Sequence, residues 1–233
     1  MRGLDQQLPY YLPQERRPAC PCGKRGQKLS GNAVQKILAT LWTFEPAIEP
    51  LHPEHRVDNV YSSSLRKKYF LLKGLRRHET DFSDALEELL NLHKMAATDT
   101  ILWAHTLNLA DTMGERGSYN FRNLRGTNPI KQTIGFGQDQ SMLDPVSISH
   151  WIKLCVGLID FAHRVPLEIL APFLLLHIDD DLQEFNIVQL LKALGLPQQM
   201  LFYGSKPLHK HVLSKAKSEK WREESPNESE GSN

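Results

Sequence analysis

The stretch VSISHWIKLCVGLIDFAHRVPLEILAPFLLLHI, Val146 to Ile178, decides the fold class. Ile148, Trp151, Ile152, Cys155, Ile159 and Ala162 recur at helical spacing on one stripe, and Val156, Leu158 and Phe161 add apolar surface elsewhere. A helix that is apolar nearly all round belongs at the centre of a domain, so this one is expected to be central. Pro166 ends it and suits the first turn of a second helix, PLEILAPFLLLHI. Neither is a membrane span, which needs about 20 predominantly apolar residues. Lys153, Asp160, His163, Arg164 and Glu168 interrupt the pattern, and the longest uncharged run goes from Ile169 only to Leu176.

The same period continues on both sides. Upstream, SSSLRKKYFLLKGLRR places Leu65, Phe70, Leu72 and Leu75 among basic residues. TDFSDALEELLNLHKMAA sets Phe82, Leu86, Leu89, Leu90 and His93 on one face, behind Thr80, Asp81 or Ser83 as caps. DTILWAHTLNLADTMG follows, with Asp99 as the expected N-cap and Gly114 as the expected C-terminal stop. Downstream, LQEFNIVQLLKALGLP closes with Gly195 and Pro197 in the order of a helix stop. Between the two groups, residues 114–145 hold five glycines and two prolines with little periodicity. A loop of that length inside a compact chain is commonly functional.

The ends differ in composition. Seven of the 14 prolines lie within the first 53 residues, so residues 1–30 are expected to be a disordered Pro/Gly/basic segment. Residues 31–61 then supply one short helix, SGNAVQKILATLWTF, with Val34, Ile37, Leu38, Leu41 and Trp42 on one side, and a Pro-rich linker. That helix is expected to attach loosely to the main domain. Residues 205–233 read as a basic helix followed by an acidic disordered tail. The expected architecture is all-α, a single irregular bundle of about six helices over residues 62–204 with disordered termini.

Charge and cysteines narrow the function. Lys+Arg 28 against Asp+Glu 27 gives a net charge of +1, which commits the molecule neither to nucleic acid nor to an anionic membrane. Cys20, Cys22 and Cys155 do not frame a disulfide scaffold. The first residues also show no apolar leader core, so a cytoplasmic or nuclear location is expected.

Asp180, Asp181 and Glu184 read as D-D-x-x-E, with Asp180 and Glu184 placed to share a hard cation. This resembles the aspartate-rich motif of isoprenoid synthases, which are also all-α. The resemblance implies Mg²⁺ and diphosphate chemistry at those three residues. The ordinary alternative, that Asp179, Asp180 or Asp181 caps the following helix, is preferred. Asp160 and His163 form one carboxylate-x-x-His pair, where a bundle di-iron site takes two. Neither a phosphate-binding glycine loop nor a serine nucleophile elbow is present.

Arg66, Lys67, Lys68, Arg76 and Arg77 on one helix, and Arg122 and Arg125 beside Tyr119 and Phe121 in the long loop, are the candidate partner-binding residues. Basic residues with interleaved aromatics also suit phosphates and stacked bases, so nucleic acid is the secondary alternative. With no catalytic set and no cofactor implied, the expected role is a non-catalytic intracellular adaptor or complex subunit. Its protein partner is expected at the 114–145 loop, the basic helix, or beside the Trp151 helix.

Overall fold

The computed structural model describes residues 28–56, 62–66, 82–112, 117–125, 133–138, 144–179 and 185–206. The fold is all-α. Seven helices are present among the described residues: α1 Gly31–Ile48, α2 Phe82–Met95, α3 Asp99–Thr112, α4 Pro145–Arg164, α5 Leu167–His177, α6 Ile187–Ala193 and α7 Pro197–Gly204. Between α3 and α4, β1 (Tyr119–Asn120) pairs antiparallel with β2 (Gly135–Phe136). No helix among these residues is long and apolar enough to cross a membrane.

The central helix is α1, which corrects the expectation of a loosely attached N-terminal helix and of a central α4. Helix α1 is buried on every side, all but Asn32 and Pro46, and packs against α2, α3, α4, α5 and α6. Its polar residues concealed this, because Gln35, Lys36, Thr40, Thr43 and Glu45 resemble a solvent face. Each instead meets a backbone group. Gln35 donates to the Leu89 and Leu90 carbonyls at 2.8 and 2.9 Å. The Lys36 ammonium donates to the His163 and Val165 carbonyls at 2.9 and 2.8 Å, where the last turn of α4 leaves acceptors free and the helix dipole favours a cation. Burial lowers the Lys36 pKa, and Glu168 pulls it the other way. Thr40 and Thr43 return their hydroxyls to the carbonyls of Lys36 and Ala39.

Pro46 lies inside α1. It has no N–H, so the Trp42 carbonyl loses its intrahelical donor. Arg66 replaces it: its Nε donates to the Trp42 oxygen at 2.8 Å, and its terminal nitrogen reaches the Thr43 and Ile178 oxygens at 2.7 and 3.1 Å. One guanidinium therefore joins the interrupted turn of α1 to the end of α5, with the Phe82 ring centroid 4.8 Å away. Glu45 completes the arrangement. Its carboxylate accepts the Leu65 and Arg66 N–H groups at 2.8 and 3.1 Å and the Ser64 hydroxyl at 2.8 Å, fastening the chain where it turns helical at Leu65.

Two helix ends follow local rules. Asn186 caps α6 and Gln189 returns a side-chain acceptor, forming a capping box. At the other end Gly195 takes φ +68°. Leu196 N–H bonds the Leu191 carbonyl and Gly195 N–H the Lys192 carbonyl, the Schellman pattern that the glycine predicted. The preferred reading of the aspartates is corrected at Asp179: it accepts the Ser83 hydroxyl at 2.9 Å, across the bundle, while α6 begins at Ile187 under the Asn186 cap. Asp180, Asp181 and Glu184 lie outside the described residues.

Candidate docking surface on the outer face of α4

Helix α4 begins under a well-made cap. Asp144 accepts the Val146 and Ser147 N–H groups at 3.2 and 3.0 Å and the Ser147 hydroxyl at 2.6 Å. These bonds, those of Ser147 foremost, hold its carboxyl below the usual aspartate range. Trp151, Leu154, Leu158, Phe161 and Ala162 form the buried face. Helix α7 runs antiparallel along a second face. Leu196 packs on Gly157, the Phe202 ring stacks on His150 at 3.8 Å and 3°, and the Lys206 ammonium donates to the Ser147 hydroxyl at 3.0 Å. Burial first, then Lys153 and Lys206, push the His150 imidazole below its ordinary pKa.

The third face is open. Ile148, Ile152 and Val156 are 36, 54 and 49 % exposed, and their i, i+4, i+8 spacing aligns them along one edge. Half-buried Cys155 and Ile159 flank them. The sequence stripe is thus split: Trp151 and Ala162 go inward, while Ile148 and Ile152 face out. Apolar residues on neighbouring sides of a helix are assigned to core or surface only by what packs against them. An aligned apolar edge of this kind is the candidate docking surface of the described residues.

The hairpin beside α4 is a packing element. Its part of the 114–145 segment is held at both ends: Ser118 N–H bonds the Ser63 carbonyl at 2.9 Å, and an Arg56 nitrogen donates to the Gly137 carbonyl at 3.0 Å. Tyr119 meets Phe136 edge to face at 5.4 Å, and Phe136 and His52 meet Trp151 at 6.1 and 4.8 Å. Tyr119 and Phe121 are each 2 % exposed, so neither is offered to a partner or an exposed base. This corrects their candidacy, and the reason is ordinary: strands of two residues are too short for alternation to reveal an inward face. Burial raises the Tyr119 pKa well above its ordinary value, and Glu45, Glu49 and Cys155 add to the effect.

The remaining candidates separate. Arg66 is engaged internally on three carbonyls. Arg122 and Arg125 are exposed on a 3-10 turn, where Asn120 caps the Arg122 N–H at 2.9 Å and Arg125 bonds the Asn108 side chain. Lys67, Lys68, Arg76 and Arg77 lie outside the described residues. Asp160 pairs with Arg164 at 2.7 Å, and burial together with Lys36 lowers the His163 pKa against the pull of Asp160. Among the described residues no three His, Cys, Asp or Glu side chains group as metal ligands.

A shallow groove of about 320 Å³ lies between α2 and α5, lined by Leu90, His93, Lys94, Glu168, Ala171 and Leu175 among others. Comparison with known protein families, with curated proteins and with solved structures finds no match to this chain.

Proposed function

We propose that this protein is a non-catalytic interaction module, an adaptor or complex subunit, and that a protein partner lays an apolar helical segment along Ile148, Ile152 and Val156. The observation that carries this reading is the exposure of three β-branched apolar side chains in line on a helix whose other faces are packed. Full burial of such side chains contributes about 1.5–3 kcal/mol each. These are already half covered, so the edge itself supplies roughly 3 kcal/mol on that scale. Association of two molecules costs about 4 kcal/mol or more in lost freedom. The complex is therefore expected to be exchangeable, with added contacts at the rim supplied by Lys153, Cys155 and Ile159.

The test compares the full chain with its Ile152→Glu and Val156→Lys variants as bait in a cell lysate, with bound protein quantified by mass spectrometry. A stoichiometric polypeptide retained by the native chain and lost from both variants, at unchanged melting temperature, supports the reading. Identical capture by all three overturns it.

A further inference from the structure

Helices α2 and α5 form one face that carries opposite charges toward its two ends. The helices run antiparallel: the Ser83 hydroxyl at the start of α2 reaches Asp179, just past the end of α5, at 2.9 Å. Lys94, near the end of α2, shares the intervening groove with Leu167 and Glu168 at the start of α5. Leu90, Ala171 and Leu175 give that groove an apolar lining. On its α5 rim Ile169 and Leu176 are 52 and 63 % exposed, and exposed Pro172 stands between them on the same side of the helix. On its α2 rim Glu87 and Lys94 are both exposed, two helical turns apart on one side, about 10 Å at 1.5 Å per residue. The other two ionisable groups of the groove are turned inward: Glu168 acts on the buried Lys36 ammonium, and the His93 ring meets the Leu90 carbonyl at 2.8 Å. What the groove shows to the outside is therefore one acid toward one end, one base toward the other, and apolar side chains alongside.

We propose that a second copy of this chain docks on this face, related by a two-fold axis lying across the helices, so that α2 runs antiparallel over α2 and α5 over α5. That operation sets Glu87 of each copy against Lys94 of the other and brings Leu176 of each copy beside Ile169 of the other, with Pro172 near the axis. The charge order selects this occupant. A partner must present the same two charges in reverse order with apolar residues beside them, and a two-fold copy supplies the reversed order by symmetry. Acid before base along α2 also suits its own dipole, but the dipole gives no reason for Ile169 and Leu176 to stand in water next to it. The face measures about 20 Å along α2 and about 16 Å along α5, each helix being about 10 Å across, which is the small end of specific interfaces. The dimer is accordingly exchangeable, with a dissociation constant of about 10–100 µM. The inference is independent of the α4 edge, which belongs to another helix.

The deciding experiment is sedimentation equilibrium of the full chain from about 1 to about 200 µM. The native chain is expected to pass from monomer to dimer over that range. Glu87→Lys and Lys94→Glu each put like charges together at two places, and each is expected to weaken the dimer about tenfold or more. The double exchange, Glu87→Lys with Lys94→Glu, restores both pairs with their signs reversed and is expected to return the dissociation constant to within about threefold of the native one. Leu176→Asp is expected to abolish the dimer. A chain that stays monomeric over the whole range overturns the proposal, and so does a dimer indifferent to the single charge changes. A dimer abolished by Ile152→Glu also overturns it, because the second copy would then sit on the α4 edge. So does a double exchange as weak as its single parents, since the loss would then come from each side chain's place in its own helix.

Discussion

The carboxylate of Asp99 accepts the backbone N–H groups of Gly31 and Asn32 at 2.9 and 3.2 Å, so the first residue of α3 caps the first turn of α1. Its own helix is capped by the preceding residue, Thr98, whose hydroxyl takes the Ile101 N–H at 3.2 Å. The contact requires close approach. A Cβ at Gly31 would lie 2.4 Å from the Asp99 carbonyl oxygen and 2.5 Å from the Trp103 nitrogen. Gly31→Ala is therefore expected to cost about 3 kcal/mol by forcing backbone apart, and Asp99→Ala about 1 kcal/mol as a lost cap. Urea denaturation measures both, and a Gly31→Ala variant as stable as the native chain would contradict the close packing.

Arg66 is expected to act as a structural residue. Arg66→Met removes the donors that replace the missing N–H of Pro46 and leaves the buried Glu45 carboxylate without its cation, a loss of about 3 kcal/mol. In a Pro46→Ala background the Trp42 carbonyl regains an intrahelical donor, so the same substitution should cost less. A double-mutant cycle reads the coupling directly. Strict additivity would mean that the guanidinium does not serve the interrupted turn.

Burial raises the Glu45 pKa, and the bonds from Leu65, Arg66 and Ser64 with the Arg66 charge draw it back. With the folded value raised, the carboxyl's contribution to stability is fully present below its unfolded pKa, near pH 4.5, and is lost as pH rises through the folded value. His150 and His163 have the opposite sign: their lowered values give stability that is present above pH 6.5 and lost as pH falls. The Glu45 effect is isolated by difference. Denaturation midpoints of the native chain and Glu45→Gln, followed from about pH 4 to about pH 8, should diverge in favour of Glu45→Gln as pH rises. A constant difference would refute the raised value.

The two sides of α4 should respond in opposite ways to substitution. Leu154→Ala or Leu158→Ala empties a fully packed site and is expected to cost about 2–5 kcal/mol. Ile152→Glu and Val156→Lys, on the open edge, should shift stability by no more than about 0.5 kcal/mol. Thermal melts of the four variants check this, and a large loss for Ile152→Glu would show that the edge is covered within the folded chain.

Sequence alone determined what depends on neighbours along the chain. The all-α class, the α2 face of Leu86, Leu89 and Leu90, the break at Pro166 and the stop at Gly195 all follow from period, propensity and φ, and each is seen in the structure. Tertiary structure alone decided which helix is central and which apolar face stays open. The Gln35 amide nitrogen, the Lys36 ammonium and the Glu45 carboxylate lie in the core bonded to carbonyls of α2 and of the end of α4 and to the N–H groups of Leu65 and Arg66, and those partners are 20 to 129 residues away. In the same way Ile152 differs from Leu154 only by what the fold places against it. A helical period states how residues are arranged around an axis, and the direction of the core is supplied by the other helices.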